Sequence, residues 1–306
     1  MSANGFSATA SLLKKEFIEH KIPFLYVPGI FVILIFGSFF ISAWRHGKNW
    51  EMASMFVPAN EGIDIFNAFY SISIILWLGY LTLMLFVYFS ASFSADRKNN
   101  ALLFWKSLPV SDLEALGVKT LAGMVMFPLV IMGWALATAV LGFVILSVVS
   151  ATSPLVAALN SGTNLWTTLN VEISSLIFVS MSLLWYLPIF TFVGLLGTVL
   201  RGWAIPAFIL LMVMVEVIES IVNFAQGGQI SDWLSFRIEA PFRIASDMAD
   251  NIVGNAEFEV IEIVSVLNFV PAFLSRIDWT EMVAGWLFAA IFVYLASEYR
   301  RRRLAA

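Results

Sequence analysis

The sequence predicts an all-α integral membrane protein with six transmembrane helices, and three observations predict it. Of 306 residues, 60% are hydrophobic and only 12% are charged, and mean hydropathy is +0.88. A soluble domain is nearer half apolar and a quarter charged, so this much apolar surface exceeds what a soluble core can hide. Second, the chain contains uncharged runs of more than 20 residues, the length a helix needs to cross a bilayer core of about 30 Å. Third, those runs are continuous rather than alternating, which excludes a transmembrane β-barrel.

The first span lies at about 24–42, inside the uncharged run between Lys21 and Arg45. The second, 66–89, lies between Asp64 and Asp96. Nothing from Thr120 to Val171 is charged. That stretch is too long for one helix and is read as a third span, 121–149, followed by a polar loop over 150–170. The fourth span is 173–200, the fifth 203–222 and the sixth 279–296. Pro128 and Pro188 fall inside spans three and four, where a proline usually marks a kink.

Six spans put both termini on one side, and twelve of the seventeen Lys and Arg residues fall on that side. The positive-inside rule then places both termini in the cytoplasm. The segment 223–278, with eight acids and three arginines, belongs outside. It is expected to form a helical insertion before the last span. Its apolar part, 258–271, is either re-entrant or an external cap. Ahead of span one, Ser11–Lys21 puts Leu13, Phe17 and the stem of Lys21 on one helical face. Lys14, Lys15, Glu16 and Glu19 take the rest, the pattern of an amphipathic helix on the inner membrane surface. A plain solvated lead-in is the alternative.

Several chemistries are excluded. A net charge of −4 gives no reason to expect nucleic acid. With no Cys there is no thiol nucleophile, disulfide or iron–sulfur cluster. Two histidines, His20 and His46, are too far apart in the topology to share a metal. There is no P-loop: Gly117-Val118-Lys119-Thr120 lacks the Gly-Lys adjacency and the upstream glycine. The chain is therefore not expected to be an enzyme, to carry a catalytic residue or to hold a cofactor.

The most informative stretch is the loop 94–119. Asp96-Arg97-Lys98 is a charged exit from span two. Phe104 and Trp105 suit a membrane surface. Leu108-Pro109 is an extended break. Ser111-Asp112-Leu113-Glu114 matches a capping box, with Ser111 as N-cap and Glu114 at the third helical position.

This stretch resembles the permease subunits of ABC-2-type ATP-binding-cassette transporters. The resemblance rests on Asp96-Arg97-Lys98, on Phe104-Trp105-Lys106-Ser107-Leu108-Pro109-Val110-Ser111-Asp112, and on Lys119 before span three. It extends to the six-span topology, the amphipathic N-terminal helix and the insertion before the last span. It implies a permease of the bacterial cytoplasmic membrane that dimerises, as itself or with a sister subunit. A separate cytoplasmic ATPase would bind ATP and Mg. It implies that Phe104, Trp105, Lys106, Leu108, Pro109, Ser111, Asp112 and Glu114 form the element that couples the ATPase to the spans, and that export is the usual direction. An ion-coupled secondary transporter and a non-transporting scaffold or immunity protein are the competing classes.

Glu216 and Glu219 lie one turn apart in span five. Glu216 is about 20 Å along a helix counted from Trp203. A carboxylate at that depth is expected to turn to the bundle interior. Glu216 and Glu219 are candidates for the translocation path; alternatively they mark the outer end of the helix, or pair with Arg237 or Arg243. Trp77, Tyr80, Trp134, Trp185 and Tyr186 are expected chiefly at interfaces and against lipid. Gly194, Gly197 and Gly202 indicate close helix approach, within the chain or at a dimer seam. Arg300–Arg303 reads as a lipid-binding tail.

Overall fold

A computed structural model describes residues 3–46, 65–98, 111–152, 165–222, 230, 232–241, 243, 271 and 273–305. Among them the chain is helical, with no strand. The elements are α1 (Ala3–Lys21), α2 (Val27–His46), α3 (Ile65–Lys98), α4 (Asp112–Leu121), α5 (Phe127–Thr152), α6 (Leu165–Leu200), α7 (Ala204–Val222) and α8 (Trp279–Ala305). Six helical stretches are long and apolar enough to cross a membrane: Thr9–Ile41, Ser73–Ala95, Asp112–Val148, Glu172–Leu200, Ala204–Val222 and Trp279–Arg302.

Two of the helix junctions are built alike. α1 runs into α2 through a π-turn at Ile22–Tyr26, and α4 runs into α5 through a π-turn at Ala122–Met126. In each, the closing N–H reaches five residues back, Val27 to the carbonyl of Ile22 and Phe127 to that of Ala122. A proline follows at once, Pro28 or Pro128. Proline has no N–H to continue the ladder, so a local change of register is the expected consequence. In the π register the donor for Pro23 would be residue 28, itself a proline. The Tyr80 hydroxyl of α3 donates to that carbonyl instead. The two junctions pack together, with Phe24 stacked on Phe127 at 4.0 Å between ring centroids.

α6 is the central helix and packs chiefly on α3 and α8. Gly194 and Gly197 serve the α3 contact. A Cβ at Gly194 would stand 2.9 Å from the Phe93 ring, and one at Gly197 would collide with the Ser90 carbonyl. The close approach foreseen for these glycines is thus within the chain. Gly202 takes no part, since nothing lies within 4 Å of its Cβ position.

Pro188 orphans the carbonyl of Leu184 one turn earlier in α6. Trp286 of α8 supplies the missing donor, its indole N–H lying 3.1 Å from that oxygen. Hydroxyls inside the spans turn back to their own helix: Ser182 to Phe178, Thr191 to Leu187 and Thr198 to Gly194. No polar hydrogen of these side chains has to face hydrocarbon.

Three element boundaries differ from expectation. α6 starts at Leu165, within the expected loop. α8 runs on to Ala305, its last turns held by Glu298, which bonds Arg301 and Arg302 at helical spacing, while Asp278 caps its start through the N–H groups of Thr280 and Glu281. α1 is continuous with α2 rather than a separate segment, and Glu16, expected among its solvated residues, is buried. The cause is a partner charge on α4.

Candidate functional site

α4 is fastened at both of its own ends, its start to α8 and its end to α1. Ser111 is the N-cap, in extended conformation, its Oγ accepting the Glu114 N–H at 3.1 Å. Asp112 and Glu114 sit in the first turn, where negative charge opposes the positive end of the helix dipole. Asp112 Oδ1 lies 3.4 Å from Nε of Arg300, which is only 2% exposed. Arg300 is therefore a buried anchor rather than part of a tail, while Arg301 and Arg302 are exposed and pair with Glu298. Leu116 and Val118 are buried, and Leu113 faces out.

The other end of α4 carries the most buried ion pair of the described residues. Lys119 Nζ lies 2.7 Å from Glu16 Oε1, with each side chain 4% exposed. The Tyr88 hydroxyl of α3 stands 3.2 Å from Glu16 Oε2 and 3.0 Å from the Lys119 carbonyl, with one proton to share between them. His20 Nδ1 lies 3.1 Å from the Glu16 carbonyl, and its ring meets Tyr88 edge-on at 4.8 Å. Glu16, Glu19 and His20 hold their ligand atoms within 4.8 Å of one another. Glu16 is already neutralised by the Lys119 ammonium, so this group is a strut joining α1, α3 and α4. Among the sequence candidates only Lys119 pointed to it. Its partner lies 103 positions away, and no local pattern could name it.

Of the eight residues expected to couple, Phe104, Trp105, Lys106, Leu108 and Pro109 lie outside the described residues. Ser111, Asp112 and Glu114 meet at the start of α4.

The helical segment 232–241 packs into the bundle against α6 and α8. Trp185 donates its indole N–H to the Arg237 carbonyl at 2.7 Å, and the Tyr186 hydroxyl donates to the Ile238 carbonyl at 2.7 Å. These two aromatics are thus buried braces rather than lipid-facing anchors. The Arg237 side chain is fully buried. Its guanidinium stacks on Trp185 at 4.4 Å and donates to the Glu281 carbonyl at 2.8 Å and its carboxylate at 3.4 Å. Gly285 makes room, since a Cβ there would overlap the guanidinium. Burial pushes the Arg237 pKa down, and the carboxylates of Glu281 and Asp278 pull it back up. Of the stretch 258–271, expected to be re-entrant or an external cap, all but Pro271 lies outside the described residues.

Glu216 does not turn to the interior of the single chain. No residue of α7 after Ala204 is buried, and Glu216 is exposed on it. Glu219 is half-buried and accepts the Ile230 N–H at 2.7 Å, which ties the end of α7 to the segment that follows. Arg237 pairs with Glu281 instead of either residue. The physical reason is that, among the described residues, α7 packs chiefly along the side of α6 and α3, so most of its circumference faces away from the core.

Compared with known proteins, the chain matches no protein-family model, no curated protein and no solved structure. The fold and the arrangement above define a multi-pass helical membrane protein.

Proposed function

We propose that this chain is the permease subunit of an ATP-driven transporter of the ABC-2 type, an exporter in the bacterial cytoplasmic membrane with both termini in the cytoplasm. It works with a separate cytoplasmic ATPase, which binds ATP and Mg, and with a second permease copy or a sister subunit. The observation that carries the proposal is the fastening of α4. A short capped helix directly after the Phe104–Pro109 motif is tied to α8 through Asp112 and Arg300, and to α1 and α3 through Lys119, Glu16 and Tyr88. A push on its start is passed to three other helices and, through the π-turn, into α5. That is what a lever between a cytoplasmic motor and a bundle of spans requires.

The outward face of α7 supports an assembly of two permeases. A carboxylate such as Glu216 is costly against acyl chains, so water or another protein surface should cover it. In this proposal Glu216 and Glu219 border a path formed between subunits.

The test is copurification with the cassette ATPase followed by export in vesicles. Leu108→Asp should weaken capture of the ATPase. Ser111→Ala with Glu114→Ala removes a cap at a cost of about 0.5–2 kcal/mol. It should leave the ATPase bound and reduce ATP-driven export. Full copurification and normal export in Leu108→Asp would place the coupling element elsewhere.

A further inference from the structure

Along the first half of α6, the helices α3, α5 and α6 line a cavity of about 360 Å³. Its walls are apolar apart from Ser175, with Trp77, Leu81, Ile131, Met132 and Val179 among them, and Glu172 is the one charged residue among the described residues that line it. Glu172 is only 9% exposed, and it makes no hydrogen bond or ion pair with any of the described residues. Leu129, Leu136, Ile173 and Leu176 also line the cavity, and each is exposed on the outside of the bundle. The chamber is therefore reached from the side, between α5 and α6.

We propose that this cavity binds a lipophilic monovalent cation, an amine or ammonium carried on a compact apolar body, with the Glu172 carboxylate as its counter-ion. A carboxylate that is largely buried beside apolar walls and has no partner among the described residues favours any ligand that neutralises it. A single acid in an apolar pocket of a few hundred cubic ångströms is the usual make-up of a small-ligand site, with shape from the walls and orientation from one charged group. An anion would be repelled. A neutral hydrocarbon would leave the carboxylate uncompensated, and a sugar or peptide would leave most of its own polar groups unpaired against these walls. Glu172 sits at the eighth residue of α6, so the ligand head lies near the start of α6 and its body extends toward the centre.

The inference needs no ATPase, so its failure and that of the transporter proposal are separable. The test uses the full chain in lipid nanodiscs and equilibrium dialysis against adamantan-1-amine, which is protonated at neutral pH, and adamantan-1-ol, its neutral counterpart of the same shape, with empty nanodiscs as background. Saturable binding of the amine to the chain is expected, with the alcohol about tenfold weaker or less. Glu172→Gln should reduce amine affinity by a similar factor without lowering the melting temperature, because it removes a largely buried charge that no described residue neutralises. Glu172→Asp should keep the preference for the amine over the alcohol. Val179→Trp, which fills the chamber, should block both. Equal binding of amine and alcohol, amine binding unchanged in Glu172→Gln, or no saturable binding of the amine would each overturn the proposal.

Discussion

Replacing Lys119 by Met removes the ammonium that lies 2.7 Å from Glu16 while keeping most of the side-chain volume. Both partners are 4% exposed, so water cannot readily take the place of the lost charge. Breaking a buried pair from one side leaves the other charge uncompensated and costs about 3–5 kcal/mol. Glu16 keeps one donor, the Tyr88 hydroxyl at 3.2 Å, which places the expectation at the low end, about 3 kcal/mol. For a chain of this size each kcal/mol moves the melting temperature by about 2 °C, so Lys119→Met should melt about 6 °C lower. Tryptophan fluorescence of the purified protein in detergent, during a thermal ramp, reads the shift. The companion variant is Glu16→Gln with Lys119→Met. It removes the stranded carboxylate, leaves a neutral amide beside Tyr88, and should recover about half of the loss. The two single changes would then be strongly non-additive. A Lys119→Met protein that melts within about 1 °C of the parent, or a double variant that loses the full sum of the singles, would show that Glu16 is adequately solvated and that the strut between α1 and α4 carries little energy.

Three further outcomes are expected. Gly197→Ala should destabilise by about 1–3 kcal/mol, because its methyl group meets the Ser90 backbone and forces α3 from α6; Gly202→Ala, with open space around it, should be silent in the same thermal ramp. Trp286→Phe strands the Leu184 carbonyl and should cost about 1–3 kcal/mol, and less in a Pro188→Ala background, where residue 188 regains an N–H for that carbonyl; an equal cost in both backgrounds would refute the pairing. A reporter fused after Ala306 should be active in the cytoplasm only, and one inserted at Gly227–Gly228 outside only, as the distribution of basic residues requires; activity of both on the same side would remove the six-span reading.

Short-range energetics decides how much of this protein the amino-acid sequence specifies unaided. Hydropathy over some 20 residues found all six spans, because the cost of carrying charge into hydrocarbon is additive along one helix and needs no neighbour. Ser111 was legible as a cap because its acceptor and the Glu114 N–H are three residues apart. Where two of these signals met, at the exit of the loop 94–119, the sequence located the start of α4. Everything that depends on which helix faces which was left to the tertiary structure. Glu16 looked like a surface residue until the packing of α1 on α4 put it against Lys119. Arg237 looked like an external charge until Trp185, Tyr186 and Gly285 made a place for it inside the bundle. Pro188 announced a defect in α6, but only the rotation of α8 shows that Trp286 repairs it. Glu216 was expected inside and stands outside, and Glu172, at the margin of an apparent loop, closes a cavity. Each of these turns on the azimuth and register of a helix relative to its neighbours. Those are set by side-chain fit summed over whole interfaces, and no window along one chain contains both sides of an interface.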